Sequence, residues 1–347
     1  MTATRLCPLG LLAQLLVAAM GTGCSPESEV DLGQLVVSAA EAGRPLFWSR
    51  DDTTLYWSGW TARGHGLQAV EVETRANHQV IEGHDDADSP RLVAEDTVLF
   101  FLANRPDQYS GGTLYKAPFA DGWAAVPVPI ASHVSAYAVS LDGTRIATIE
   151  DKTGLLTTLD ILSGALQSFG RCSLGGFSPD GSRLLAETAP ASGAATRFLA
   201  DPITGAMEPT DIVGDVIAWD GGTPRRVVRN NLVIDLLTGV EQPFENPYGW
   251  MSFYSGDSAN LDTGYYDAVE CLKWGTAQDG TRDCETSQGS LYRVDLNSGQ
   301  RDTVAKYPAG GSISFAVSQD GRKLASAMAT DVDADPSIYV KTLSPGS

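Results

Sequence analysis

A four-residue turn, Ser-x-Asp-Gly, recurs along this chain, and each time it separates two apolar runs. It stands at Ser140-Leu-Asp142-Gly143 before TRIATIE, at Ser178-Pro-Asp180-Gly181 before SRLLAET, and at Ser318-Gln-Asp320-Gly321 before RKLASAM. Looser copies are Arg50-Asp-Asp52, Ala94-Glu-Asp96, Trp219-Asp220-Gly221 and Gly256-Asp257-Ser258. Asp96, Asp142, Asp180 and Asp220 follow one another at steps of 46, 38 and 40 residues. Asp-Gly between apolar runs marks a tight hairpin, because glycine accepts the positive φ that the turn requires. A second turn, Asp-x-x-Ser/Thr-Gly, follows at Asp160–Gly164, Asp201–Gly205, Asp235–Gly239 and Asp295–Gly299, with Glu71-Val-Glu-Thr74-Arg75 as a variant. Each repeat therefore holds two hairpins in series, which is four short antiparallel strands.

Four-stranded units recurring near every 40 residues are the blades of a β-propeller. The same turns, with Asn104-Arg105-Pro-Asp107 ahead of Leu114-Tyr115, make the chain resemble the TolB/PD40 (WD40-like) β-propeller family. The resemblance spans nearly all of residues 33–347 and implies the fold. It leaves function open, because the family serves many roles. Residues 33–347 divide into seven units of 45 residues, with six as the fallback because the Asp257 repeat is degenerate. The last unit ends after SIYVKTL with no fourth strand, and Leu35–Ala39 (LVVSA) supplies one. That pairing removes a free sheet edge. Past the N-terminal segment no sustained 3.6-residue apolar stripe occurs, so the expectation is all-β.

Residues 1–23 read as an export signal: Arg5, then the apolar Leu6–Met20, too short to span a bilayer comfortably. Small residues precede Cys24, which resembles a bacterial lipobox, although Gly21 stands where a branched residue is usual. The resemblance implies acylation of Cys24, with plain cleavage of the signal as the alternative. Residues 24–32 form a polar tether, and Ser25 in place of Asp implies the periplasmic side of the outer membrane. The formal charge of −19 excludes nucleic acid and anionic lipid as electrostatic partners. Any membrane contact is through the lipid anchor. Three cysteines remain, Cys172, Cys271 and Cys284. No zinc spacing occurs among them. Of the three pairs, a local Cys271–Cys284 disulfide closing the polar stretch CLKWGTAQDGTRDC is preferred, leaving Cys172 as a small buried residue.

The two repeated turns join the first strand to the second and the third to the fourth, so they share one face of the disc. The opposite face gathers the variable connections, including residues 59–65, 104–109, 246–250, the long segment 264–290 and 331–335. Aromatic and charged residues collected there mark it as the binding face, with Trp60, Arg105, Tyr109, Trp250 and Trp274 as anchors. Packing between blades is the competing reading of each aromatic. Asp142, Asp180 and Asp320 are read as acceptors for their own turns, not as catalysts. Asp331, Asp333 and Asp335 resemble the start of a calcium loop. Pro336 replaces the required glycine, however, and no Glu occupies the twelfth position, so the competing reading is a solvated acidic loop. No other cofactor is expected. Gly-x-Ser-x-Gly is absent, and the four histidines all lie in the first units. The leading expectation is a non-enzymatic binding or scaffolding module for an envelope protein, peptide or glycan. The alternative is a hydrolase or lyase using carboxylates at the central channel.

Overall fold

In the computed structural model, the described residues begin at Gly33 and end at Leu343, with 39–42, 62–63, 82, 85, 105–109, 189–193, 230–231, 244–250, 256–262, 277–281, 308–313, 319 and 329–336 outside them. Among the described residues every regular element is a strand. β1 (Gln34–Val37) comes first and is followed by blade 1: β2 (Gly43–Trp48), β3 (Thr54–Thr61), β4 (Gly64–Glu71) and β5 (Asn77–Gln79). Blade 2 holds β6 (Asp88–Val93), β7 (Val98–Ala103), β8 (Gly112–Ala120), the short β9 (Trp123–Ala124) and the first half of β10 (Val128–Val139). The second half of β10 opens blade 3, with β11 (Arg145–Glu150), β12 (Leu155–Asp160) and the first half of β13 (Leu166–Phe177). Blade 4 takes the rest of β13, β14 (Leu184–Thr188), β15 (Arg197–Ala200) and β16 (Met207–Pro209). Blade 5 is β17 (Asp215–Asp220), β18 (Thr223–Arg229), β19 (Leu232–Asp235) and β20 (Glu241–Pro243). Blade 6 is β21 (Met251–Ser255), β22 (Thr263–Thr276), β23 (Arg282–Asp295) and β24 (Arg301–Tyr307). Blade 7 is β25 (Ser314–Val317), β26 (Lys323–Met328) and β27 (Ser337–Thr342), and β1 pairs antiparallel with β27 as its fourth strand.

Burial runs nearly unbroken along inner strands such as β7, from Leu99 to Ala103, because both faces of a blade are covered by neighbours. In β11 and β26 one side faces the preceding blade and the other the following one: Ile146 packs toward blade 2, Ala147 and Ile149 toward blade 4. Blade 7 packs on blade 1 through Ala316, Ala325, Ala327 and Ile338 against Leu55, Trp57 and Val70, and Trp48 Nε1 donates to Ala316 O across this seam (3.1 Å). Blades 1–2, 2–3, 3–4, 5–6 and 6–7 each share an apolar cluster of the same kind. Cys172 lies buried in the 3–4 cluster as a free thiol, and burial raises its pKa.

The repeated turns behave as their chemistry requires. Asp142 Oδ1 accepts Ser140 Oγ–H (2.5 Å) and Thr144 N–H (3.0 Å), and Asp180 and Asp320 repeat the arrangement with Ser178 and Ser182, and with Ser318 and Arg322. Gly143, Gly181 and Gly321 adopt φ near +70°, the conformation that a side chain would strain. Neighbouring turns also interlock. Arg50 N–H donates to Asp96 Oδ2 (2.7 Å), Ala94 N–H to Leu141 O (2.8 Å) and Arg145 Nη1 to Gly181 O (2.6 Å). Between the last and first blades, Asp320 N–H donates to Asp52 Oδ2 (3.3 Å) and Lys323 Nζ to Asp52 O (2.6 Å).

One expectation is corrected here. Segment 264–290 is not a loop: β22 and β23 pair from Thr263↔Asp295 to Thr276↔Arg282, whereas β21 and β24 accompany them only as far as Ala268 and Gly289. The remainder is a two-stranded ribbon extending from the variable end of blade 6. Its register sets Cys271 opposite Ser287 and Cys284 opposite Trp274. The two cysteines are thus three rungs out of step, about 10 Å along the ladder.

Candidate functional site

Among the described residues, one seam lacks an apolar cluster: that between blades 4 and 5. The register shows what replaces it. Ile149↔Leu156 in blade 3 and Ala327↔Ile338 in blade 7 form the rung that packs on the following blade near the variable end. The equivalent rung of blade 4 is Glu187↔Arg197, and Ser173 faces Glu187 from β13. A hydroxyl, a carboxylate and a guanidinium therefore stand in one row across three strands, aimed at blade 5.

A cleft of about 190 Å³ opens over this row, lined by Ser173, Leu185, Glu187, Arg197, Gly214 and Asp215 among others. Arg197 Nε donates to Glu187 Oε2 (2.8 Å), and its Nη1 donates across the seam to Gly214 O. Arg197 and Glu187 keep 29% and 34% of their side-chain surface, so the pair is reachable from outside. Asp215 adds an exposed carboxylate from the start of β17. Gly214 is required there: its φ is +109°, and a Cβ would lie 2.2 Å from Val228 O. Its carbonyl can approach Arg197 only because the chain passes this close to β18.

The magnitudes identify the row as a departure from what packing favours. Burying two aliphatic side chains would contribute about 1.5–3 kcal/mol each. A part-exposed ion pair contributes about 0–1 kcal/mol. The molecule thus forgoes a few kcal/mol at one seam to keep polar groups lining a cleft, the pattern expected of a functional site.

The sequence-based anchors fare differently. Trp60 lies at the variable end of β3, opposite His65, and Trp274 lies on the blade 6 ribbon. The side chains of both lie outside the described residues. Arg105, Tyr109, Trp250, Asp331, Asp333 and Asp335 fall outside the described residues, as does Cys24. Among the described residues no three His, Cys, Asp or Glu side chains group as a metal site. Ser173, Glu187, Arg197 and Asp215 did not emerge from motif reading. The signal for one of them was nonetheless present: Glu187 occupies the repeat position that carries Ile149 and Ala327 elsewhere.

No protein-family profile and no curated relative matches the chain. Solved structures do. An oligogalacturonate lyase in complex with manganese aligns over 89% of this chain and 92% of its own, at 14% identity and a TM-score of 0.61. The β-propeller domain of the Trilobed protease from Pyrococcus furiosus, described as having an open velcro topology, aligns over 88% and 97%, at 9% identity and 0.53. A putative TolB from Agrobacterium tumefaciens aligns over 88% and 90%, at 14% identity and 0.41, a likeness too loose to argue from. With the strand pairing described above, the first two place this chain in the β-propeller fold. At these identities they speak to fold alone.

Proposed function

We propose that this propeller is a non-enzymatic binding module whose ligand enters the cleft between blades 4 and 5. The observation that carries this reading is the substitution of Glu187↔Arg197 for an apolar rung at the one described seam without an apolar cluster. A cleft of about 190 Å³ is below the roughly 300 Å³ of a site for a drug-sized molecule. It suits a single residue of a longer peptide or glycan, with the adjoining variable loops meeting the rest. Glu187, Arg197 and Asp215 sum to one negative charge within a chain of net charge −19, which favours a neutral hydroxyl-bearing or a cationic group over an anionic one.

The fact that Glu187 and Asp215 line one cleft also admits a second reading, acid–base hydrolysis or elimination. An oligouronate is a polyanion, and the protein's charge opposes its approach. This is why the binding reading is preferred. The test is a double substitution that restores the apolar rung, Glu187→Ile with Arg197→Leu. Thermal unfolding should move upward while recovery of partners from envelope extract is lost. Undiminished recovery by this variant would sink the assignment. Release of unsaturated sugar from uronate oligomers by wild type, lost in Asp215→Asn, would favour the enzymatic reading instead.

Location follows from the N-terminal segment. We place the protein in the cell envelope, held by acyl chains on Cys24 on the periplasmic side of the outer membrane. Incorporation of a labelled fatty acid should be lost in Cys24→Ser, and its absence from the wild type would leave plain secretion.

A further inference from the structure

The seam between blades 7 and 1 contains two polar atoms that nothing above accounts for. Trp57 on β3 and Gln68 on β4 stand directly opposite each other. Facing residues of an antiparallel pair project from the same side of the sheet, with Cβ atoms about 5 Å apart. That side is the one packed on blade 7, because the adjoining rung, Leu55↔Val70, belongs with Trp57 to the shared apolar cluster. Trp57 is 0% exposed and Gln68 3%. Within this enclosure Trp57 Nε1 and Gln68 Nε2 are both buried and have no hydrogen-bond partner.

Both atoms are donors, so neither can satisfy the other. A buried donor left unpaired carries its full desolvation cost, and native proteins meet such groups with a protein acceptor or an ordered water. Along the strands the two adjoining rungs offer no side-chain acceptor, and Gln79, which faces Gln68 from β5, has an interaction of its own and does not take the Gln68 Nε2–H. Leu55↔Val70 on one side is apolar, and Gly59↔Gly66 on the other has no side chains. The glycine rung adds no side-chain bulk beside the two donors, at the end nearer the variable loops.

We propose that this seam holds an internal hydration site, a single water molecule accepting one hydrogen bond from Trp57 Nε1–H and one from Gln68 Nε2–H. Two donors meet the lower limit of partners that a buried water needs. A halide would accept the same two bonds, and it is separated from water by the anion arm of the test. The site is independent of the cleft between blades 4 and 5, so it stands or falls separately from the function proposed there.

The experiment is NMR on the full ¹⁵N-labelled protein. The Trp57 indole N–H is assigned by its disappearance in Trp57→Phe, and its cross-relaxation with water is separated from chemical exchange by the opposite signs of laboratory-frame and rotating-frame effects. The expected result is direct cross-relaxation with a long-lived water in the wild type. It should be lost in Gln68→Leu, while the other indole signals stay in place and report an intact fold. Gln68→Met serves the same purpose if the leucine variant does not fold. Exchanging chloride for sulfate should leave the Trp57 indole shift unchanged. Absence of cross-relaxation in the wild type overturns the proposal and would point to a Gln68 amide turned so that its Oε1 takes the indole proton. Cross-relaxation persisting in both Gln68 variants overturns the two-donor site. A chloride-dependent indole shift overturns water as the occupant.

Discussion

Asp180 takes a hydroxyl from Ser178 and both a backbone and a hydroxyl donor from Ser182, and ionisation strengthens all three bonds. The Ser178 hydroxyl holds its pKa below the ordinary carboxylate value, as the Ser49 hydroxyl does for Asp51 and the Ser298 N–H for Asp295. For Asp142, Asp201 and Asp235 partial burial pushes upward, but the hydrogen bonds of the turn outweigh it. The folded pKa lies below the unfolded one in every case. Each group therefore contributes stability that is fully present above its unfolded value and lost as pH falls through the folded one. Melting temperature should be level from neutrality to about pH 5 and fall steeply below about pH 4, where unfolded aspartates begin to take up protons. Melts followed by circular dichroism check this, and a profile level to about pH 3 would refute it. These residues were legible from sequence because Asp-Gly with a preceding Ser has one efficient local geometry. Glu187 was not, because a charged residue at the end of LLAET reads as solvated until the strand register sets it beside Ile149 and Ala327.

Strands carry the next level of specification. β1 has Val37 at 2% exposure within the seam shared by blades 7 and 1, and its pairing covers the edge of β27. Val37→Asp would bury an unpaired carboxylate there, and we expect a loss of roughly 3 kcal/mol or more. The uncovered edge of β27 should also promote association, visible as a rising particle size in light scattering. A variant that remains monodisperse and melts with the wild type would remove the structural importance of β1. The sequence indicated this strand because the last repeat ran out of chain one strand early. It did not indicate the blade 6 ribbon, since a ribbon paired only with itself needs no alternating apolar pattern, and alternation was the signal sought. Nor did it show that β10 and β13 each run through two blades. In β10 the redirection falls at His133, which takes φ +58° without the glycine or proline that normally announces a bend.

Across the whole molecule, the repeat period determined the architecture, while the candidate site came from a break in that period. Motif reading looked to the aromatic residues of the variable loops, and the described part of the cleft contains none of them. Its groups sit at ordinary blade positions, and only comparison of one blade with another exposes them. The distribution of continuous backbone has a mechanical meaning. Blades 2, 3 and 4 are joined by the unbroken strands β10 and β13, so separating them would require peeling ladder hydrogen bonds within a strand. Blades 4 and 5 share no such strand and are fastened near the variable end by Arg197 on Gly214. The three fused blades form a stiff arc with its compliant joint at their downstream end. On the proposed function, a ligand would meet its binding groups beside that joint rather than within the arc.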